Sequence, residues 1–205
     1  LDYRQDRSVI KKTIQHVSLK TLLEQDVTAE TLFNIEKPID ILPSTDDRIG
    51  DTLETFKTIK RIQETNGERG CHWYIISNCQ GEMDIASAYF LAKQTAFPGE
   101  KIPIDFIPLF ETIDDLKNAE KIVTALFENN IYRKHLTQRS NKQTIMLGFS
   151  DGTKDGGYLS ANWNIYKARE TLATLSEKYG IKIVFFDGRG GPPARGGGNT
   201  HNYYV

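Results

Sequence analysis

Three short stretches carry residues that could do chemistry, and each follows an apolar, strand-like run. Glu111 follows Leu109–Phe110, and Asp151 and Lys154 lie in Ser150–Asp151–Gly152–Thr153–Lys154–Asp155–Gly156–Gly157. Arg189 and Arg195 are set in a run from Gly188 to Gly198 that holds only Gly, Arg, Pro and Ala. Two carboxylates from neighbouring strand ends make a partial oxygen shell for Mg²⁺ or Mn²⁺, hard cations that keep waters for a substrate. Lysine and arginine beside them would hold an anion bridging to that metal. Glycine permits positive φ and close approach of backbone N–H groups to an anion, so Arg189 and Arg195 read as mobile anion clamps. Each piece has a plainer structural alternative. Glu111 could neighbour a helix N-cap, Asp151 could cap the next turn, Lys154 could be solvated, and the glycine run could be a surface loop. The set outweighs its parts, because successive strand ends carry complementary charge.

Those ends belong to a regular alternation. Trp73–Ile76, Ile102–Phe110, Thr144–Phe149 and Ile181–Phe186 are strand-like, and the prolines at 103 and 108 predict an irregular entry and exit for the second. Helices are predicted from Asp84 to Thr95, from Thr112 to about Asn129, and from Leu159 to Tyr179 with a stop at Gly180. Strand and helix alternating at these intervals predict βαβ units and a parallel sheet, whose ligands meet the carboxyl ends of the strands. Periodicity leaves open half of an eight-stranded barrel or most of an open sheet. Residues 1–70 read as a mainly helical segment, with one short helix ending near Pro38 and an amphipathic helix from Thr52 to Thr65 closed by Asn66–Gly67. Residues 71–205 read as the β/α part with the candidate site.

Composition narrows the classes. Of 205 residues 39% are hydrophobic, with 16 Gly, which is globular and neither disordered nor fibrous. With 26 Lys+Arg against 27 Asp+Glu the net charge is −1, so no nucleic-acid partner is expected. No apolar run approaches a membrane span, and no secretory leader is expected. Two cysteines, Cys71 and Cys79, exclude a disulfide framework and suit a reducing cytoplasm. They read as structural thiols rather than a zinc site, and His16 and His135 as surface residues. Ile165, Ala168, Leu172, Leu175 and Tyr179 form a helix core stripe. Lys11 and Lys12 read as a solvated face. The start at Leu1 and the stop at Val205 are read as those of a piece of a longer protein.

The stretch Ile145–Met146–Leu147–Gly148–Phe149–Ser150–Asp151–Gly152–Thr153–Lys154–Asp155–Gly156–Gly157 resembles a signature of the phosphoenolpyruvate carboxylase family. Pro108–Leu109–Phe110–Glu111–Thr112–Ile113–Asp114–Asp115–Leu116, the loop from Phe186 to Gly198, and Leu1–Asp2–Tyr3–Arg4–Gln5–Asp6 are similar to other segments of that family, in its order. The resemblance implies an α/β fold, a partial (β/α)₈ TIM-type barrel with a helical N-terminal segment, from a cytoplasmic homotetramer. It implies an enzyme that turns phosphoenolpyruvate and bicarbonate into oxaloacetate and phosphate, through carboxyphosphate and a metal-stabilised enolate, with Mg²⁺ or Mn²⁺. Carried over by motif, Glu111 and Asp151 would be metal ligands. Lys154, Arg189 and Arg195 would serve the active centre, and Arg4, Arg189 and Arg195 would bind substrate. The family's Tyr and Ser are replaced by Phe149 and Gly152, and its loop His by Asp187, which is expected to weaken anion binding at Arg189. Ala194 and Asn199 also depart from the pattern, and the family's segment with the catalytic His has no counterpart in these 205 residues, so the chain alone is expected to be inactive. The alternatives are a divergent metal-dependent lyase and a non-catalytic module on the same barrel.

Overall fold

A computed structural model describes residues 2–21, 27–36, 39, 41, 44–99 and 101–190. Among the described residues five strands form one parallel sheet: β1 (Asp2–Asp6), β2 (Trp73–Ser77), β3 (Asp105–Phe110), β4 (Lys142–Gly148) and β5 (Lys182–Gly188). They lie side by side in chain order. The helices are α1 (Arg7–Thr21), α2 (Ala29–Asn34), α3 (Asp47–Asn66), α4 (Glu82–Thr95), α5 (Ile113–Glu128), α6 (Asn130–Gln138) and α7 (Ser150–Tyr179).

Strand periodicity sorts the core into two layers. Tyr74 and Ile76 of β2, Phe106 and Phe110 of β3, and Ile145 and Leu147 of β4 point to one face. There they pack on Ile10 of α1, Leu32 of α2, Phe56 of α3, Phe90 of α4, Leu126 of α5, Leu136 of α6 and Leu172 of α7. The alternate residues Trp73, Ile75, Ile107, Leu109 and Met146 form a separate small cluster without any helical member. The described helices therefore cover one face of the sheet. A doubly wound sheet would carry them on both.

The helices start where local chemistry dictates. Thr112 caps α5 by accepting from the Asp115 N–H at 3.1 Å, while Asp115 accepts in return from the Thr112 N–H at 3.0 Å. Asn129 caps α6, accepting from the N–H groups of Ile131 and Tyr132. The left-handed Gly180, φ 63°, ends α7.

Several expectations change. β1 is a strand that the polar N-terminal sequence did not announce; Tyr3 pairs with Tyr74 and Arg4 with Ile75. The segment after β4 is helical from Ser150, and Gly157 (φ 80°, ψ 165°) breaks it before the long helix resumes. Pro108, expected to roughen the exit of β3, lies inside it as the last residue in register with β2. Beyond it Leu109 and Phe110 pair with β4. His135 is buried, not on the surface: beside Tyr132 on the same face of α6, its ring packs on Tyr89 and Phe106. Cys71 and Cys79 are buried free thiols, and burial raises the Cys79 pKa, which keeps it unreactive. The stripe through Ile165, Ala168, Leu172 and Leu175 is buried, and Lys11 and Lys12 are exposed. No described helix is long and apolar enough to cross a membrane.

Candidate active site

Arg4, Glu111, Asp151 and Lys154 come together at the carboxyl end of the sheet, around a cleft of about 330 Å³. Arg4 rises from β1, Glu111 leaves β3, and Asp151 and Lys154 occupy the opening turns of α7 beyond β4. A larger groove of about 510 Å³ runs along α3. It holds one ion pair, Glu54–Lys57 at 3.2 Å, whereas the smaller cleft gathers two, Arg4–Glu111 and Asp151–Lys154, from β1 and the ends of β3 and β4.

The backbone around Glu111 is fixed before its side chain is. Its N–H donates to Asp115 Oδ2 at 3.3 Å, joining it to the α5 cap. The side chain turns the other way, into the cleft: Arg4 Nη2 donates to Oε1 at 2.8 Å, and the Asn78 backbone N–H donates to Oε2 at 2.9 Å. Asn78 presents that N–H from a left-handed backbone, φ 55°, a conformation asparagine tolerates better than most residues. Burial raises the Glu111 pKa above its ordinary value, against the pull of the Asn78 N–H and of Arg4, and Asp151 and Asp115 add to the rise.

Asp151 and Lys154 face each other one turn apart, 2.8 Å between Nζ and Oδ1. Two glycines let the pieces meet. A Cβ on Gly148 would stand 3.1 Å from Glu111 Cγ and 3.2 Å from its Cα, and one on Gly152 would stand 3.2 Å from the Glu111 carbonyl oxygen. Asp155 works on structure, accepting from the Ile113 N–H at the start of α5 at 3.2 Å.

Arg189 sits at the edge rather than inside. Gly188 and Gly190 on either side line the cleft, but its guanidinium lies over the Phe149 ring at 5.3 Å and donates to Asp187 Oδ2 at 3.1 and 3.3 Å. Arg195, with the loop beyond Gly190, lies outside the described residues. Sequence reasoning missed Asn78 and Arg169, the latter donating to Asp187 Oδ1 from α7. The turn-rich Ser77–Asn78–Cys79–Gln80–Gly81 after a strand was the one available signal for Asn78. Nothing local could announce Arg169, which is 18 positions from its partner.

The donor set suits a hard divalent cation. Two carboxylates from adjacent strand ends supply oxygen only, and neither is locked in a buried pair, since Arg4 and Lys154 are more than half exposed. Among the described residues no three His, Cys, Asp or Glu groups cluster in a way that would hold a metal by themselves, so water and substrate would complete the shell.

A parallel sheet in chain order, helices on one face, and paired carboxylates and cations at its carboxyl end define an α/β protein with a charged cleft at the strand ends. The chain belongs to the phosphoenolpyruvate carboxylase family, whose sequence profile matches residues 1–203. A phosphoenolpyruvate carboxylase of Synechococcus sp. is 41% identical over 153 residues, which is 73% of this chain and 14% of that protein. One from Gloeobacter violaceus is 33% identical over 216 residues, covering 98% of this chain and 23% of that protein. One from Methylorubrum extorquens is 38% identical over 188 residues, covering 89% and 20%. The chain thus spans less than a quarter of the length of these relatives.

Proposed function

We propose that this chain is the part of a phosphoenolpyruvate carboxylase that carries the divalent-metal site and one wall of the substrate site. The parent would be a cytoplasmic homotetramer that uses phosphoenolpyruvate and bicarbonate. The observation that carries the reading is the convergence of Arg4, Glu111, Asp151 and Lys154 in one cleft, each on a segment similar to the family's own. Mg²⁺ or Mn²⁺ would be held by Glu111 and Asp151, and would supply charge stabilisation at the phosphoryl and enolate oxygens.

The residues of the chain do the rest. With Glu111 and Asp151 engaged, Arg4 and Lys154 are released from their carboxylates and can pair with the phosphate and carboxylate of phosphoenolpyruvate. The Asn78 N–H keeps Glu111 aimed into the cleft and favours its ionised form. Leu109 and Met146 line the same cleft and keep water from the enolate that remains when bicarbonate takes the phosphoryl group as carboxyphosphate. Strands in chain order with a bare, apolar inner face support the (β/α)₈ barrel as the setting, because the cleft then opens at the end of the barrel where such enzymes work.

The test is Mn²⁺ binding followed by electron paramagnetic resonance. Glu111→Gln and Asp151→Asn each remove one anionic ligand at nearly constant shape, and each is expected to weaken binding about tenfold or more. Unchanged affinity in both would reduce the two residues to helix-end structure and favour a non-catalytic module. Oxaloacetate is not expected from the 205-residue chain alone. Turnover by the purified chain would show that the segment with the family's histidine is dispensable.

A further inference from the structure

Asp187 stands where the family has a histidine, at the root of the glycine-rich loop, and it puts a negative charge beside Arg189. Its two oxygens are divided. Oδ2 accepts from Arg189 at 3.1 Å, and Oδ1 accepts from Arg169, which reaches across from α7. The carboxylate is 25% exposed, too buried to be left without a counter-charge at little cost. Arg169 is anchored on its other side, its guanidinium carbon 5.6 Å from the centre of the Phe185 ring. Arg189 is the looser partner. It is 48% exposed against 36% for Arg169, and it rests over Phe149 beside the cleft.

We propose that Arg169 is a positioning residue for Arg189, holding the Asp187 carboxylate so that Arg189 can leave it for an anionic substrate in the cleft. The inference rests on the carboxylase reading above and deepens it. If Arg189 were the only partner of Asp187, its departure would strand a half-buried negative charge next to the incoming phosphate, and the substrate would meet that repulsion as well as the lost pair. With Arg169 in place the carboxylate stays paired throughout. The net charge of the trio is +1, so an anion approaching Gly188 and Gly190 is still attracted. The substitution of histidine by Asp187 is thereby neutralised by a residue on a different element.

The test is phosphoenolpyruvate binding to the full-length enzyme that contains this chain, in the presence of Mn²⁺, measured by calorimetry beside a thermal melt of each variant. Arg169→Gln is expected to weaken binding about five- to tenfold, the scale of one uncompensated charge at a partly exposed site. Arg169→Lys keeps the charge and is expected to stay within about twofold of the unaltered chain. The decisive variant is the double Arg169→Gln/Asp187→Asn, which removes the stranded charge together with its partner and is expected to restore affinity. Asp187→Asn alone, with Arg189 unburdened, is expected to bind at least as tightly as the unaltered chain. A purely structural role for Arg169 predicts the reverse order, with the double variant as weak as the single one. That order, or weakened binding in Asp187→Asn, overturns the inference even where Arg169→Gln fails to fold. Binding by the unaltered enzyme with no change in Arg169→Gln overturns the inference alone. No binding by the unaltered full-length enzyme overturns the carboxylase reading and the inference with it.

Discussion

His135 shows how far burial alone can set the behaviour of one residue. Its ring is 3% exposed and lies 5.5–5.6 Å, centre to centre, from Tyr89, Phe106 and Tyr132. Burial, reinforced by the nearby Arg139 cation, lowers its pKa from the usual 6.5 to about 4, although Asp105 and a hydrogen bond to the Ile104 carbonyl pull the other way. The folded chain therefore keeps this histidine neutral at a pH where the unfolded chain protonates it. The stability it contributes is complete above pH 6.5 and is lost as the pH falls toward 4, at about 1.4 kcal/mol per unit and about 3 kcal/mol in all. His135→Gln, which never takes the proton, is expected to flatten the dependence of the urea midpoint between pH 7 and 5 by about one proton's worth of slope. Equal slopes in the two proteins would place the acid sensitivity elsewhere. Local context hid this, because Arg133 and Lys134, the basic neighbours of His135 in the chain, are exposed while His135 itself is buried.

Among the elements, β4 and the start of α7 do most to build the site, through glycines that serve close approach. Gly148 ends β4 against the start of the Glu111 side chain, and a methyl there would stand 3.1–3.2 Å from Glu111 Cγ and Cα. Backbone on one side and a carboxylate held by Arg4 and Asn78 on the other leave Glu111 little room to yield. Gly148→Ala is expected to cost about 1–2 kcal/mol in a denaturant melt and to lower Mn²⁺ affinity by more than that stability loss implies. A variant that loses stability but binds Mn²⁺ normally would show that Glu111 adapts without leaving the site. At this scale the sequence was informative for apolar elements and silent for polar ones. β2 to β5 were legible because Val, Ile and aromatic residues bounded by turns mark strands by their apolar, β-prone side chains. β1 was not, because Asp2, Arg4 and Asp6 alternate with Tyr3 and Gln5 and only long-range pairing with β2 makes the segment a strand. The first turns of α7 were missed for a related reason, since Gly152, Gly156 and Gly157 among Ser150, Asp151, Thr153 and Asp155 read locally as a loop. Glu111, Asp151, Lys154 and Arg189 were legible as candidates from their place after apolar strands, whereas Arg4, inside the unannounced β1, was marked only by the family resemblance. Their partners were not, because Arg4 and Glu111 are 107 positions apart.

Open sheet edges and exposed large apolar side chains occur together among the described residues. Among the described residues β1 and β5 each have one strand neighbour, so both edges of the sheet are open. Along α7, Tyr158, Leu159, Trp163 and Tyr166 are more than half exposed, with Leu159 at 82%, and Trp163 stacks on Tyr166 at 5.7 Å. Phe186, against Trp73 on the helix-free face, is 38% exposed. A protein that ended its core here would blunt the edges with charge and keep such residues scattered. Within a closed barrel the same features would be covered by the next strand–helix units. Taken by itself, the 205-residue chain should cover them with copies of itself. Its weight-average mass in sedimentation equilibrium is expected to rise with concentration over the micromolar range. Leu159→Glu/Trp163→Glu should shift that rise to higher concentration, because two charges then oppose burial of the helix face. Val184→Lys, on the edge strand β5 and on the face opposite Ile183 and Phe185, should do the same through the sheet. If only the helix variant acts, association runs through α7; if only Val184→Lys acts, it runs edge to edge. A chain that sediments as a monomer throughout would mean that the uncovered surface is tolerated in water, and the case for missing barrel neighbours would then lose its physical support.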